Sequence, residues 1–355
     1  MIRTTAGLVH LIGSVPLATT DEVFRTLAGA LGERLSRMPD GETGERRRWI
    51  WWQRAMLERH PAMEVDRETA PIEIRQWDGS LLRRTELFRL RPGADPDTVD
   101  FPTGYAGAAL DSWSRFDALR RAGVVPAGMR FQVCLPTPMS SAFMYVSPRS
   151  HDGYMRAYER ALLHALGEVV AKVPAADLSI QWDICQEVLV FEDYFVSRPA
   201  DYKERVFALL ARLGAAVPPG VELGYHLCYG SPADQHLVMP HDAAILTEIG
   251  NAIFARAARP VDFLHFPVPR EREDVAYFAP LGDLQLQSTT TLYLGLIHWN
   301  DTAGDRRRID TARTVVPRFG VATECGWGRT DPTRLSGLLD SHRLAADYLM
   351  TRRGS

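Results

Sequence analysis

Short apolar runs, each followed by a longer amphipathic stretch, recur along this chain, and that rhythm limits its fold more than any other feature. The runs lie at 7–12, 34–38, 130–135, 178–183, 221–225, 261–266, 291–298 and 319–323. The stretches between them, at 20–35, 46–58, 105–122, 151–173, 201–216, 241–257, 308–316 and 331–350, carry the period expected of helices. Strands that alternate with helices pair in parallel, because a parallel neighbour needs a crossover long enough to hold a helix. About eight such units predict an α/β fold, a (β/α)8 TIM barrel. A doubly wound sheet is the alternative; it is weakened because no G-x-G-x-x-G follows the first run. Residues 60–104 break the rhythm with charge, Pro and Gly, and alternate at 72–77 and 87–90, which predicts a β-hairpin insertion. Such an insertion can cover a pocket or supply a homo-oligomer contact. The whole chain, 1–355, reads as a single barrel domain.

Composition narrows the function by exclusion. The formal net charge of -3, with no basic run beyond the short clusters at 45–48 and 305–308, leaves no electrostatic footprint for nucleic acid. No stretch approaches the length of a membrane span. Met1–Thr5 shows no charged region leading into an apolar one, so no secretory signal is read there. Four cysteines (Cys134, Cys185, Cys228, Cys325) in 355 residues make no disulfide framework, and a cytoplasmic location is expected.

In a barrel of this kind, chemistry collects where strands run out into loops. Two of the four cysteines and three of the ten histidines fall there: His226 and Cys228, His265, His298 and Cys325. His226 and Cys228 stand two apart, so on an extended strand they share a face. Cys325 precedes Gly326, which permits close approach of backbone. Imidazole and thiolates from separate strands form a sensible zinc site of His226, Cys228 and Cys325, with His265 as the candidate fourth ligand. Cys134 and Cys185 are left as core or pocket lining. The Trp49-Ile50-Trp51-Trp52 stretch reads as helix packing.

Six ordered segments then resemble the C-terminal catalytic domain of cobalamin-independent methionine synthase, in the barrel superfamily shared with uroporphyrinogen decarboxylase. They are Leu11-Ile12-Gly13-Ser14, Pro39-Asp40-Gly41-Glu42, Ile180-Gln181-Trp182-Asp183, His226-Leu227-Cys228-Tyr229, Gly295-Leu296-Ile297-His298 and Glu324-Cys325-Gly326 with Arg329. The resemblance implies zinc (Zn2+) at His226, Cys228 and Cys325. It implies that Ser14, Glu42 and Asp183 hold the amine and carboxylate of a homocysteine-like substrate, and that His298 is the general acid near the leaving group. The chain departs from the pattern where His265 stands at the family's glutamate ligand, so that His265 takes its place or the site has three protein ligands. The implied activity is zinc-dependent transfer of a methyl or other alkyl group from a small-molecule donor onto a small thiol, through a zinc-bound thiolate. The alternatives are a metal-free lyase or decarboxylase on the same barrel, and a variant-metal enzyme holding iron.

Overall fold

The computed structural model describes residues 7–232 and 235–351, so Met1–Thr5 lies outside the described residues. The first elements are α1 (Thr20–Leu31), β1 (Arg37–Pro39), α2 (Gln53–Arg59), β2 (Met63–Val65), β3 (Ile72–Arg75), β4 (Leu81–Thr85) and β5 (Phe88–Leu90). The middle of the chain supplies α3 (Tyr105–Arg121), β6 (Arg130–Pro136), α4 (Pro138–Tyr145), α5 (His151–Lys172), β7 (Leu178–Ile184), α6 (Gln186–Phe191) and α7 (Tyr202–Ala215). The last third supplies β8 (Glu222–Leu227), α8 (Ala244–Arg256), β9 (Phe263–Pro267), α9 (Val275–Phe278), β10 (Thr291–Ile297), α10 (Thr302–Val315), β11 (Gly320–Thr323) and α11 (Leu335–Thr351).

Seven strands form one parallel sheet in the order β1-β6-β7-β8-β9-β10-β11. Every residue of β7 is buried, as expected of a strand covered on both faces. The sheet curls until its edges meet across the first apolar run. Val9 makes isolated parallel bridges to Leu35 on one side and Val321 on the other. His10 N–H donates to the Val321 carbonyl at 3.0 Å, and Val321 N–H donates to that of Leu8 at 2.8 Å. The arrangement is that of a TIM-like barrel.

The first run is a bridge rather than the strand expected at 7–12, and the reason is visible in its carbonyls. Gln132 Nε2 donates to Leu11 and Ile12, Gln181 Nε2 donates to Ile12 at 2.7 Å, and the Cys134 thiol donates to Ile12 at 3.0 Å. Side chains from inside the barrel take the carbonyls that a strand ladder would use. At the opposite end Arg37 plugs the barrel, with its guanidinium 2.9 Å from Glu222 and 4.0 Å above the Phe263 ring.

Residues 60–104 carry two antiparallel pairs, β3 with β4 and β2 with β5, beside the barrel mouth. The helix expected at 46–58 is broken. Gly44–Trp52 is a tight 3-10 stretch in which Trp49 has φ 52° and ψ -120°, and regular α-helix begins only at Gln53. Trp49, Trp51 and Trp52 pack against the core as expected, and the backbone flip at Trp49 leaves its indole N–H facing Asp183.

Candidate functional site

The site begins with strand register. β7 and β8 pair with Asp183 opposite His226 and Ile184 opposite Leu227. Side chains alternate along a strand, so Asp183 and His226 turn to the same side of the sheet, and the residue two beyond His226 returns to it. Cys228 lies one residue past the end of β8, fixed there by its N–H on the Ile184 carbonyl at 2.9 Å. Cys325 arrives from the loop after β11. The ligand atoms of His226, Cys228 and Cys325 all lie within 4.8 Å of one another, and the two sulfurs are 3.8 Å apart. Two thiolates on a tetrahedral zinc, each at about 2.3 Å, sit about 3.8 Å apart, so the donor spacing fits that ion.

Protonation states follow from the hydrogen bonds. His265 Nε2 faces the Thr323 carbonyl at 3.1 Å, and a carbonyl only accepts, so Nε2 carries the proton. Burial holds His265 well below the ordinary histidine value, so the ring is neutral and its Nδ1 is a lone pair. His226 Nδ1 lies 2.7 Å from that lone pair and must be the donor. Burial pushes His226 down to about 4, so it too is neutral, and its Nε2 lone pair turns to the cysteine side of the site, toward Cys325. His265 therefore stands behind His226, with both nitrogens engaged, and outside the cluster of three.

Both thiols are held protonated in the absence of a cation. The Cys185 thiol, with burial, pushes Cys228 well above the ordinary cysteine value, and Cys228 with burial pushes Cys325 up to about 12. Arg329 Nη2 reaches the Cys325 sulfur at 3.2 Å. A divalent ion is the group that reverses this preference, since it replaces both protons and compensates both thiolates.

Above the trio a narrow cleft of about 70 Å³ is lined by Ser14, Glu42, Trp49, Asp183 and Arg329 among others. Ser14 ties the two ends of the chain together: its Oγ accepts from Gly328 N–H at 3.1 Å and its carbonyl from Trp327 N–H at 2.7 Å. A Cβ on Gly326 would lie 2.4 Å from Ser14 Oγ, so only glycine passes there. Glu42 sits at φ 47° and is held well above the ordinary carboxylate value by burial and then by Asp183. Burial pushes Asp183 up to about 8, against the pull of its Gln181 and Trp49 hydrogen bonds. Trp49 Nε1 donates to Asp183 Oδ2 at 3.1 Å, and Gln181 Nε2 to Oδ1 at 2.8 Å. Two carboxyls on one wall make a site that a bound ammonium would complete.

His298 does not line this cleft. It faces a second one, which meets the first at Ser231, Cys325 and Gly326. Its Nε2 donates to the Val268 carbonyl at 3.0 Å, and burial pushes the ring down to about 4, so it rests neutral. Its neighbour there is Glu324, 3.9 Å away, which is paired with His236 at 2.5 Å. That pairing raises His236, whose own burial opposes the shift. Thr137, another polar residue at a strand end, is spent on the buried Glu187.

Trp49, His236 and Glu324 line the two clefts without a site role read for them in the sequence, whereas Cys185 lines the first cleft, as its core-or-lining reading expects. Nothing local announces His236, which comes from a distant loop.

No family model matches this chain, and no curated protein sequence matches it. Solved structures do. A B12-independent methionine synthase from Shewanella sp. W3-18-1, in complex with selenomethionine, superposes with a TM-score of 0.60 at 12% identity over 98% of this chain and 97% of its own. The putative vitamin-B12 independent methionine synthase from Listeria monocytogenes gives 0.57 at 15% identity, over 97% and 98%. At these identities the likeness is one of fold, and this chain shares the fold of the B12-independent methionine synthases.

Proposed function

We propose that this chain is a zinc-dependent transferase that moves a methyl or other alkyl group onto a small, homocysteine-like thiol. The observation that carries the reading is the convergence of His226, Cys228 and Cys325 at the floor of a cleft whose wall holds Glu42 and Asp183. His226 Nε2 and the two sulfurs would hold the ion, and two thiolates with an imidazole select zinc over magnesium or calcium. Zinc at this position supplies acidity, so that an incoming thiol reacts as thiolate at neutral pH.

The chain's own residues do the rest. Glu42 and Asp183 receive the substrate ammonium, with Trp49 and Gln181 orienting Asp183. Ser14 holds the Cys325 loop in register and offers its hydroxyl proton to the substrate carboxylate. The sulfur lone pair forms the new S–C bond while the donor's bond to that carbon breaks, its electron pair leaving with the donor. The second cleft, open to Cys325 from the other side, is the place for the donor. His298 faces that cleft; with Nε2–H held by the Val268 carbonyl, a proton taken up from solvent on Nδ1 is the one it passes to the leaving group, the imidazolium being stabilised by Glu324.

Metal analysis of protein purified without added metal tests the reading. About one zinc per chain, lost in Cys228→Ser, is the expected result. No metal would overturn it, and iron in place of zinc would move the chemistry to redox. A screen of small thiols, with and without an α-ammonium group, for stabilisation of the metal-loaded protein then identifies the acceptor.

A further inference from the structure

Gln181 is the hub of a buried chain of hydrogen bonds that reaches the first cleft from inside the barrel. Its Nε2 lies 2.7 Å from the Ile12 carbonyl and 2.8 Å from Asp183 Oδ1. A carbonyl only accepts, so this end of the amide is the NH2, and its other hydrogen reaches Asp183. The amide oxygen therefore faces the other way, where His10 Nε2 stands at 2.8 Å. An amide oxygen only accepts, so His10 is the donor. Gln132 Nε2 also approaches that oxygen, at 3.4 Å, longer than a well-formed bond.

The His10 ring is fixed in this pose. Its backbone N–H is pinned to the Val321 carbonyl at 3.0 Å. The ring lies against Phe263 and Tyr293, with centroids 5.0 and 4.9 Å away, and the residue is fully buried. Its Nδ1 has no hydrogen-bond partner among the described residues. A buried polar atom without a partner costs stability that a phenylalanine in the same aromatic cage would not. What the imidazole adds over an apolar ring is the single N–H that meets Gln181.

We infer that His10 is a positioning residue for the acceptor's ammonium group: by donating to Gln181 it keeps that amide from turning over, and so keeps an N–H against Asp183. The inference rests on reading Asp183 as a partner of the ammonium, and it extends that reading. Turned over, the amide would set its oxygen against both the Ile12 carbonyl and Asp183 Oδ1, lone pair against lone pair. Asp183 would then be held through Trp49 alone. No covalent bond is made or broken in this role.

Calorimetric titration of the zinc-loaded protein with homocysteine, and with the mercaptobutanoate of the same length that lacks the amine, tests the inference. His10→Phe keeps a ring between Phe263 and Tyr293 and removes the N–H. It should weaken homocysteine about fivefold, the worth of one hydrogen bond, and leave the amine-free thiol unchanged. His10→Gln returns an N–H near the position of Nε2 and should recover most of the loss. Gln181→Met should lose at least as much, and adding His10→Phe to it should cost nothing further, because the ring acts through that amide. Equal losses for the two thiols in His10→Phe, an unchanged preference for homocysteine, or full additivity with Gln181→Met overturns the inference and leaves the acceptor reading standing. A wild-type protein that binds neither thiol, or both alike, overturns the acceptor reading and this inference with it. Should His10→Phe fail to fold, the wild-type protein decides. With isotope-labelled histidine, nuclear magnetic resonance should find the His10 ring hydrogen on Nε2, and a hydrogen on Nδ1 alone overturns the inference.

Discussion

His265 presents its Nδ1 to the Nδ1 of His226 at 2.7 Å, and the Thr323 carbonyl behind it decides which of the two rings holds the shared proton. The pair works as a ratchet of tautomers, in which a backbone carbonyl two residues before Cys325 sets the lone pair that faces the cysteines. His265→Ala removes the anchor, and zinc affinity should fall about 10- to 100-fold, as for other loss of an outer hydrogen-bond partner. His265→Gln, which can still donate to a carbonyl and accept from imidazole, should recover part of it. Competition with a chromophoric chelator measures both. An unchanged affinity in His265→Ala would show that the ring plays no part in orienting His226.

The indole of Trp49 holds Asp183 in place for the acceptor's ammonium group. Trp49→Phe keeps the ring but removes the N–H, and a hydrogen bond to a carboxyl that gives up its proton when the ammonium binds is worth about 1.5–3 kcal/mol in the charged state. Binding of an amino-acid thiol should weaken by about tenfold, the lower end of that range. A thiol of similar size without the ammonium should bind as before. Calorimetric titration of both thiols into the metal-loaded variant gives the comparison, and equal losses would place Trp49 in general packing instead.

Asp183 also makes a prediction about pH. Its folded-state value, about 8, lies above the ordinary carboxylate value near 4, so the folded protein binds the proton that the unfolded chain has lost. Its contribution is present in full below pH 4 and is lost as pH rises toward 8. The buried, neutral His226, His298 and His342, each pushed down to about 4, act in the opposite sense. They contribute stability that falls away as pH drops from about 6.5 to about 4. Asp183→Asn should therefore flatten the decline in melting temperature between pH 5 and 8 and leave the acid limb untouched. A variant whose curve runs parallel to the wild type across both limbs would contradict this account.

Gly326→Ala puts a methyl carbon where only 2.4 Å separates it from Ser14 Oγ. Overpacking of this kind costs about 1–3 kcal/mol. The double variant Ser14→Gly with Gly326→Ala relieves the clash, so it should melt closer to the wild type than the alanine variant alone. Denaturant titration of the three proteins checks the coupling, and strict additivity would mean the loop yields elsewhere.

At the far end of the barrel, Arg37 is buried between Glu222, Phe263 and Tyr293. Arg37→Met leaves the partly exposed Glu222 to Arg130 alone, 3.4 Å away, so the cost should fall below the about 3–5 kcal/mol of breaking a fully buried pair. The loss should appear in equilibrium unfolding with no change in zinc stoichiometry, since the plug lies at the end of the strands remote from the donors.

The parallel architecture was legible because each buried strand reads as an unbroken apolar run between two amphipathic stretches. His226, Cys228 and Cys325 were legible for a related reason: period-two alternation and strand ends suffice to bring them together. Other features depend on partners that sequence does not name. The tautomer of His265 is set by a carbonyl on β11, two strands away in the sheet. The flip at Trp49 interrupts a stretch whose residues suit a helix, and the competing demand comes from Asp183, 134 positions away. Beyond the bridge at Val9 no strand continues, because glutamines on β6 and β7 claim the carbonyls of Leu11 and Ile12.

Ser14 and the loop from Cys325 to Gly328 give these hydrogen bonds a temporal meaning. Two donors, His226 and Cys228, belong to one strand end and are in reach of each other as soon as β8 has formed. The next comes almost a hundred residues later and is held in place by a residue near the other end of the chain. A chain emerging from the ribosome thus carries an unfinished half-site until Cys325 has been made and its loop has found Ser14. Closure of the barrel and completion of the donor set are one event, and cation uptake during refolding would time the moment at which the ring shuts.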